Sequence, residues 1–350
     1  MVNAVSTRVA SGTRARTPAR GLRAGEWVQV RSAAAILSTL DDNHCLDGLP
    51  FMPEMLQYCG RRFRVFKSAH KTCDTIETFT IRRMSDAVHL EDLRCDGSGH
   101  GGCQAGCLLF WKEAWLEPVA HGDGADARPA NPTDHSLSAH DEARLHGSTR
   151  VSTAGSEAAS SCYRCQATEI RRATSEVRRR DRLNPFFYLR DLTSGNVGLR
   201  DFIRFGLFAA FNAMLRRAFG RRYPQICGRA GDKTPNATLN LQPGEMVTVR
   251  SKDEILQTLN AQQRNRGLYF DVEMTPFCEN GSYRVLRRVE RIIDEKTGRM
   301  INIPNACLIL DGVTCSGHRS SDRMFCPRSI YPYWREIWLE RTLTGKGNSS

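Results

Sequence analysis

Two stretches of the chain share one pattern of apolar and polar positions. GEWVQVRS from Gly25 and GEMVTVRS from Gly244 alternate with the period of two that half-buried strands show. A serine at an N-cap position and a short helical pattern with one apolar face follow in each, AAAILSTL and KDEILQTL, and Ser251 and Glu254 have the spacing of a capping box. Compared without gaps, the first 35 positions of the two stretches contain 16 identities. The pattern therefore predicts an internal duplication.

The match between the two stretches continues to a pair of tryptophans. FRV recurs as YRV, Cys95 and Cys103 have counterparts in Cys315 and Cys326, and WKEAWLE recurs as WREIWLE. Alternating runs around these matches predict four or five short strands in each stretch, with one helix after the first strand. We therefore predict an α+β, mainly β protein with two small SH3-like β barrels. That fold pattern by itself implies no particular function.

Changes of composition predict where the two repeats end. The residues outside them are rich in arginine or in Ala, Gly, Pro and Ser, and most of them lack a sustained period. In chain order we predict a disordered basic tail over 1–24, the first repeat over 25–117, a flexible linker over 118–161, a helical insert over 162–222, a linker over 223–243, the second repeat over 244–342 and a disordered tail over 343–350.

The insert contains a predicted helix from about Gly198 to Phe219, and three interpretations of its apolar residues stay open. Packing between the two barrels is the usual position of an apolar helix face. Contact with a membrane interface through 198–222 is the second, because arginines such as Arg216 and Arg217 flank the apolar run. Docking of a partner protein is the third.

Charge and composition narrow the class of protein. The net charge of +12 and the isoelectric point near 9.3 suit nucleic acid or anionic lipid as partners. The chain has no run of ~18 apolar residues and no apolar signal-peptide core, so we predict a cytoplasmic protein without a transmembrane helix. In that compartment the 13 cysteines are expected to be reduced, and some of them to bind metal.

Cysteines and histidines, several of them in matching polar loops of the two repeats, are the candidate metal ligands. In DGSGHGGC and SGHRSSDRMFC a cysteine buried merely as an apolar residue is not expected. Structural zinc in each repeat is the leading interpretation, with an iron–sulfur cluster or unligated cysteines as alternatives. The candidates are Cys59, Cys95, His100, Cys103, Cys107, Cys162, Cys165, Cys278, Cys315, His318 and Cys326.

The sequence gives weaker grounds, or none, for assigning other glutamates, histidines and cysteines to a metal site. Glu54 recurs as Glu273, but a glutamate beside apolar residues usually forms an ion pair or caps a helix. His100 lies five residues after Cys95, whereas the second repeat has its histidine three residues after Cys315. The cysteines without a counterpart in the other repeat are Cys45, Cys73, Cys227 and Cys307.

The motifs of both repeats resemble those of an uncharacterised family of bacterial proteins. That family carries V-R-S-x-x-E-I-L-x-T-L-D, G-L-P-F-x-P-E-M, Y-C-G-R-x-F-R-V and C-x-G-x-x-H-G-G-C-Q-A-G-C. The match here includes Gly48–Met55, Tyr58–Val65 and Cys95–Cys107, and the second repeat departs from it at Tyr269 and Asp271. The resemblance supports the domain assignment, implies no activity and makes the first repeat the better candidate for binding a ligand.

These observations predict a non-enzymatic, metal-stabilised adaptor with two tandem binding modules and a protein partner. Two weak binding faces at a fixed distance gain avidity without any new contact. A metalloenzyme or redox protein centred on the cysteines of the first repeat is one alternative. A nucleic-acid binding protein is the other, with a basic face made of Arg61, Arg62, Arg64, Arg82 and Arg83.

Overall fold

A computed structural model describes residues 21–119, 136–151, 162–182, 184–220, 223–278 and 281–342. Its architecture is mixed, with mostly antiparallel strands and with the helices gathered mainly in the segment between the repeats. Two five-stranded sheets, one from each repeat, organise the molecule. The coarse prediction of a mainly β protein with helices is therefore confirmed.

The first repeat forms a curled five-stranded sheet with short ladders beside it. Its elements are β1 (Trp27–Val30), α1 (Ala33–Leu37), β2 (Cys45–Leu46), β3 (Leu49–Pro50), β4 (Arg62–Ser68), β5 (Lys71–Cys73), β6 (Ile81–Arg83), β7 (Ala87–Arg94), β8 (Leu108–Lys112) and β9 (Leu116–Pro118), with 3-10 turns at Pro53–Tyr58 and Glu113–Trp115. The strand order of the sheet is β8-β7-β4-β1-β9. A register shift between Val65 and Lys67 marks a bulge, and bulges bend a sheet.

The insert is helical in its second half and irregular before it. Its elements and those just ahead of it are α2 (Ala139–Ser148), β10 (Arg150–Val151), β11 (Cys162–Tyr163), β12 (Ser175–Glu176), α3 (Arg179–Arg182), α4 (Pro185–Thr193) and α5 (Leu199–Phe219). The predicted helix near 198–219 is confirmed as α5. Gly198 is its N-cap, and Gly220 ends it with a φ of 66°, a left-handed conformation that glycine adopts without strain.

The second repeat forms a sheet with the same order of equivalent strands. Its elements are β13 (Met246–Val249), α6 (Lys252–Thr258), β14 (Arg264–Asn265), β15 (Leu268–Tyr269), β16 (Ser282–Ile293), β17 (Met300–Leu310), β18 (Trp334–Arg335) and β19 (Leu339–Arg341), with 3-10 turns at Val272–Cys278, Ser321–Arg323 and Glu336–Trp338. The sheet order is β18-β17-β16-β13-β19. The capping box predicted at Ser251 and Glu254 is confirmed at the start of α6.

The aromatic cores of the two sheets match in geometry. Phe51 lies 6.5 Å from Trp111 and 5.4 Å from Trp115, measured between ring centroids. Phe270 lies 6.5 Å from Trp334 and 5.4 Å from Trp338. In each pair the first tryptophan stands on a strand and the second in a 3-10 turn, so the pairs do not share one helix.

Closed barrels are not seen in the part of the chain that the structure describes. The 3-10 turn at Glu113–Trp115 carries the chain from β8 to the far side of β1, where β9 pairs. β8 and β9 are therefore opposite edges of an open, curled sheet, and β18 and β19 repeat this arrangement. The finer prediction of two SH3-like barrels, and the duplication itself, stay predictions.

Parts of the predicted tails and linkers are packed onto the repeats. Leu22 is buried, and its N–H donates to Glu113 Oε1 at 3.1 Å. The predicted linker over 118–161 contains α2, whose Leu145 is buried in the first core. Ile226 and Leu241 are buried in the second core. Apolar residues within these polar stretches explain the difference, and residues 1–20, 120–135, 152–161 and 343–350 lie outside the described residues.

Helix α5 packs along one side only. Phe202 stacks on Phe325 of the second repeat at 5.6 Å, and Phe205 stacks on His318 at 4.3 Å. Leu199 and Leu207 are 60% and 68% exposed. No helix of the described residues combines the length and the apolar character that crossing a membrane requires.

Candidate metal centre

The loop between β7 and β8 is closed tightly by its backbone. Cys95 follows the last residue of β7, and its N–H donates to the carbonyl of Cys107 at 2.8 Å. Gly97 has a φ of +79°, and a Cβ there would lie 2.2 Å from the carbonyl oxygen of Cys103. Only glycine accepts such a conformation at so close an approach. The spacing of glycines between the cysteines therefore folds the loop back on itself.

Glu54, Cys95 and His100 form a compact group of potential ligands. Cys95 Sγ lies 3.2 Å from Glu54 Oε1 and 3.5 Å from His100 Nε2, while His100 Nδ1 lies 3.4 Å from Glu54 Oε1. One ligand atom from each residue lies within 4.8 Å of the other two. In the part of the chain that the structure describes, no other group of three or more His, Cys, Asp or Glu side chains has its ligand atoms within 4.8 Å of one another.

Burial biases each member of this group toward its uncharged form. Burial raises the pKa of Glu54 and raises the pKa of the Cys95 thiol well above its usual range, while it lowers the pKa of His100 to about 4. A divalent cation would offset the cost of charge on the thiolate and the carboxylate, and neutral imidazole is the form that binds metal. The chemistry of these donors therefore fits a metal ion.

Three further thiols line the same small cavity as this group. The cavity has a volume of about 30 Å³, more than the ~10–15 Å³ that one water molecule needs. Its polar lining comes from the first repeat, the insert and the second repeat, and comprises Glu54, Cys95, His100, Cys103, Cys107, Cys165, Gln166, Glu295 and Arg328. The structure thus brings together five of the predicted ligands and adds Glu54.

The additional thiols lie near one another without forming a finished four-thiolate site. Burial raises the pKa of Cys107 and of Cys165 to about 12. Cys103 Sγ accepts the N–H of Ile293 from the second repeat at 3.4 Å. The four thiols of Cys95, Cys103, Cys107 and Cys165 do not reach the 4.8 Å spacing of the Glu54 group. A four-coordinate site would need one ligand more than Glu54, Cys95 and His100 supply.

Three of the predicted ligands lie elsewhere. Cys59 follows the 3-10 turn at Pro53–Tyr58 and is buried in the core of the first sheet. Cys278 ends the turn at Val272–Cys278 and is buried in the core of the second, and neither lines the cavity. Cys162 stands in β11, where it pairs with Val151 and bridges to Arg299. The spacing along the chain indicated these cysteines, but their burial places two of them among apolar side chains.

In the matching loop of the second repeat, the glutamate has different hydrogen-bond partners. Glu273 accepts the backbone N–H groups of His318, Arg319 and Ser320 at 3.2, 2.7 and 2.9 Å, and the Ser316 hydroxyl at 2.9 Å. These donors satisfy the carboxylate, and the His318 ring is held against α5. The group predicted from Cys278, Cys315, His318 and Cys326 is therefore not assembled around Glu273.

Glu54 is the potential ligand that the sequence did not indicate. It lies 41 residues before Cys95, in a turn where a helix cap was the expected role. Its recurrence as Glu273, in the motif that ends Glu-Met in both repeats, was the available signal. Recurrence alone does not distinguish a ligand from a cap, and here the two glutamates have different partners.

The five arginines predicted to form a basic face are not equally free. Arg82 is 5% exposed and donates to Thr174 Oγ1 at 2.7 Å and to its carbonyl at 3.0 Å. Arg61 lies over the ring of Phe63 at 5.4 Å. Because Arg82 is committed to the insert, it offers no charge to a polyanion.

Comparison of the chain with protein-family models, with curated proteins and with solved structures gave no match.

Proposed function

We propose that this protein is a non-enzymatic adaptor whose two repeats are stabilised by a bound metal ion, zinc being the best match. The observation that carries the proposal is the buried group of Glu54, Cys95 and His100, with ligand atoms within 4.8 Å. They offer one oxygen, one sulfur and one nitrogen, and a thiol from the same cavity supplies the fourth ligand. Zinc binds such mixed sets in tetrahedral sites.

The burial of the group supports a structural role over a catalytic one. A catalytic zinc keeps a position open for water or substrate, whereas His100 is 1% exposed and the cavity is small. A nucleophilic thiol needs access to substrate and a depressed pKa. Cys95 is buried, and its pKa is raised. The burial of this group therefore argues against catalysis of hydrolysis and against a nucleophilic thiol.

Helix α5 supports the binding part of the proposal. Its exposed apolar residues recur every four positions at Leu199, Ile203 and Leu207, so they form one stripe. Arg200 and Arg204 follow them along the chain and are exposed. The occupant we propose is a partner protein with an apolar groove and an acidic rim. Flotation of the chain with anionic vesicles, lost in Leu207→Asp, would assign the stripe to a membrane instead.

An iron–sulfur protein is the second candidate. The arrangement of Cys95, Cys103, Cys107 and Cys165 around one cavity favours it, because four thiolates also hold such clusters. A cluster would make the purified protein coloured and would bring iron with acid-labile sulfide. A zinc site leaves the protein colourless, so one absorbance spectrum separates the two candidates.

Elemental analysis of the full chain, purified without chelator and without oxygen, tests the proposal. Cys95→Ser removes one ligand and is expected to lower the zinc content by about one ion per chain. It should also lower the free energy of unfolding by more than ~2 kcal/mol, since structural zinc contributes folding energy directly.

Cys45→Ser is the matched control, because Cys45 is buried in the first repeat but does not line the cavity. It should leave the zinc content unchanged. The proposal fails if Cys95→Ser and Cys45→Ser hold the same zinc, or if iron replaces zinc in the unmodified chain.

A further inference from the structure

Cys73 of the first repeat meets a cysteine of the second repeat. Cys73 ends β5, and it packs with Cys326 in a buried cluster that also contains Ile81 and Val177. Cys73 is 3% exposed and Cys326 is 4% exposed. Cys315 stands two residues before Gly317, whose backbone approaches that of Cys326. Three thiols from two distant parts of the chain thus converge.

The loop that presents Cys315 and Cys326 is closed like the loop of the first centre. Gly317 follows Cys315 by two residues with a φ of +69°, and a Cβ there would lie 2.7 Å from the backbone nitrogen of Cys326. The N–H of Cys315 donates to the carbonyl of Ile330 at 2.8 Å. In the first repeat Gly97 stands in the same relation to the two cysteines that flank it. This loop geometry therefore occurs once in each repeat.

In each repeat, a residue at the same distance along the chain contacts the cysteine loop of the other repeat. Cys73 lies eight residues after Val65, and Ile293 lies eight residues after Val285. The backbone of Ile293 contacts Cys103, as the side chain of Cys73 contacts Cys326 in the second repeat. The first repeat brings a thiol to this position, whereas the second brings an apolar side chain. Only the position occupied by Cys73 therefore offers a side chain that can bind a metal ion.

The three thiols lie among charged side chains that are already paired. Three thiolates and one divalent cation carry a net charge of −1. Arg328 is 2% exposed, its guanidinium donates to the carbonyl of Cys73 at 3.4 Å, and it pairs with Glu295 at 3.0 Å. Arg323 pairs with Asp271 at 2.6 Å. Because each guanidinium has a carboxylate partner, the divalent ion itself offsets most of the thiolate charge.

We propose that Cys73, Cys315 and Cys326 bind a second thiophilic metal ion, zinc being the best match, which joins the two repeats. The structural role of this second ion rests on the proposed function above. Its ligands are different residues from those of the first centre. The three sulfur atoms do not all lie within 4.8 Å of one another, so the ion draws them together on binding. A fourth position is left for water, because the His318 ring is stacked on Phe205.

Zinc content of three full-length variants tests the second centre. Cys73→Ser should lower the zinc content by about one ion per chain, Cys95→Ser should lower it by about one, and the double variant by about two. Cys307→Ser, a buried cysteine outside both groups, is the control and should keep the full content. Circular dichroism spectra identify any variant that fails to fold.

A measurement on the unmodified chain covers the case in which Cys73→Ser does not fold. Zinc should slow alkylation of Cys73, Cys315 and Cys326 by N-ethylmaleimide, and a chelator should restore their reactivity, as followed by peptide mass mapping. If Cys73→Ser keeps its zinc while Cys95→Ser loses one ion, the second centre is wrong and the first stands. If neither loses zinc, both are wrong. A disulfide between Cys73 and Cys326 in freshly purified protein also overturns the second centre.

Discussion

Several ionisable side chains of this protein are buried where they cannot easily hold a charge. His89 in β7 is fully buried, and its Nδ1 donates to the carbonyl of Leu109 at 2.9 Å. His100 and Cys95 are buried at the candidate centre. Desolvation lowers the pKa of both histidines and raises the pKa of Cys95, so it favours the neutral form of each group. These groups differ in their surroundings, because Cys95 and His100 lie beside other potential metal ligands, whereas His89 lies beside a carbonyl.

His89 predicts a specific dependence of stability on pH. Burial lowers its pKa to about 3, while the unfolded chain has the usual 6.5. Between these values the unfolded state binds a proton that the folded state does not, so stability falls as the pH falls through this window. A pKa that differs by one between the folded and unfolded states corresponds to ~1.4 kcal/mol, so the loss is on the order of a few kcal/mol.

Urea unfolding of His89→Leu at several pH values checks this expectation. The variant should lose most of the dependence on pH in the window from 6.5 to about 3. His140→Leu, on the exposed side of α2, should keep it. An unchanged slope in His89→Leu would show that other groups cause the acid sensitivity.

At the scale of elements, both candidate centres are built on a tight loop and a strand or turn from elsewhere. The loops begin where β7 and β17 have ended, and a glycine of positive φ turns each of them back on its second cysteine. The 3-10 turn at Pro53–Tyr58 adds Glu54 to the first loop, while β5 adds Cys73 to the second. In the first loop, closure by the backbone would hold the potential ligands in place before an ion binds, which lowers the entropy cost of binding.

Gly97→Ala tests the role of this loop. Alanine combines a strained φ with a Cβ only 2.2 Å from the Cys103 carbonyl, so the loop must open. We expect a loss of about 2 kcal/mol or more in the free energy of unfolding, together with loss of zinc from the first centre. Thermal unfolding with elemental analysis measures both.

Gly206→Ala is the matched control. It lies within α5, where an added Cβ meets nothing within 4 Å, and it should stabilise the chain by ~0.5–1 kcal/mol. If Gly97→Ala retained both its zinc and its stability, the loop would have no part in holding the ligands.

At the scale of the whole molecule, Lys71 is the point where three parts of the chain meet. Its ammonium is fully buried and pairs with Asp191 of α4 at 2.5 Å. The rings of Tyr188 from the insert and Phe325 from the second repeat lie 4.8 and 5.7 Å from it. His70 Nε2 lies 3.3 Å from the other carboxylate oxygen. The two repeats and the insert therefore share one buried charge.

Asp191→Ala should destabilise the assembly of all three parts. It leaves the Lys71 ammonium buried without its counter-ion, for which we expect a loss of ~3–5 kcal/mol in the free energy of unfolding. Guanidinium unfolding measures this loss. The exposed pair of Arg31 and Glu117 is the control, and Glu117→Ala should cost less than ~1 kcal/mol. Equal effects of the two substitutions would contradict a structural role for the buried pair.

The local pattern of the sequence predicted the local structure well. Alternation at Trp27–Val30, the capping box at Ser251 and the apolar run of α5 report interactions within a few residues, and all three are confirmed. The recurrence of Cys95 and Cys103 as Cys315 and Cys326 also indicated which loops to examine. The parts of the fold that depend on neighbours along the chain were therefore readable from the sequence.

The tertiary structure alone decided which side chains meet. Glu54 reaches Cys95 across 41 residues, and Cys73 reaches the second repeat, so no spacing along the chain indicates either contact. Cys59 and Cys278 pack in the cores of the two sheets and do not line the cavity of the Glu54 group. A metal site depends on distances between atoms from separate elements. Sequence alone determined the loops that carry the ligands, and packing determined their partners.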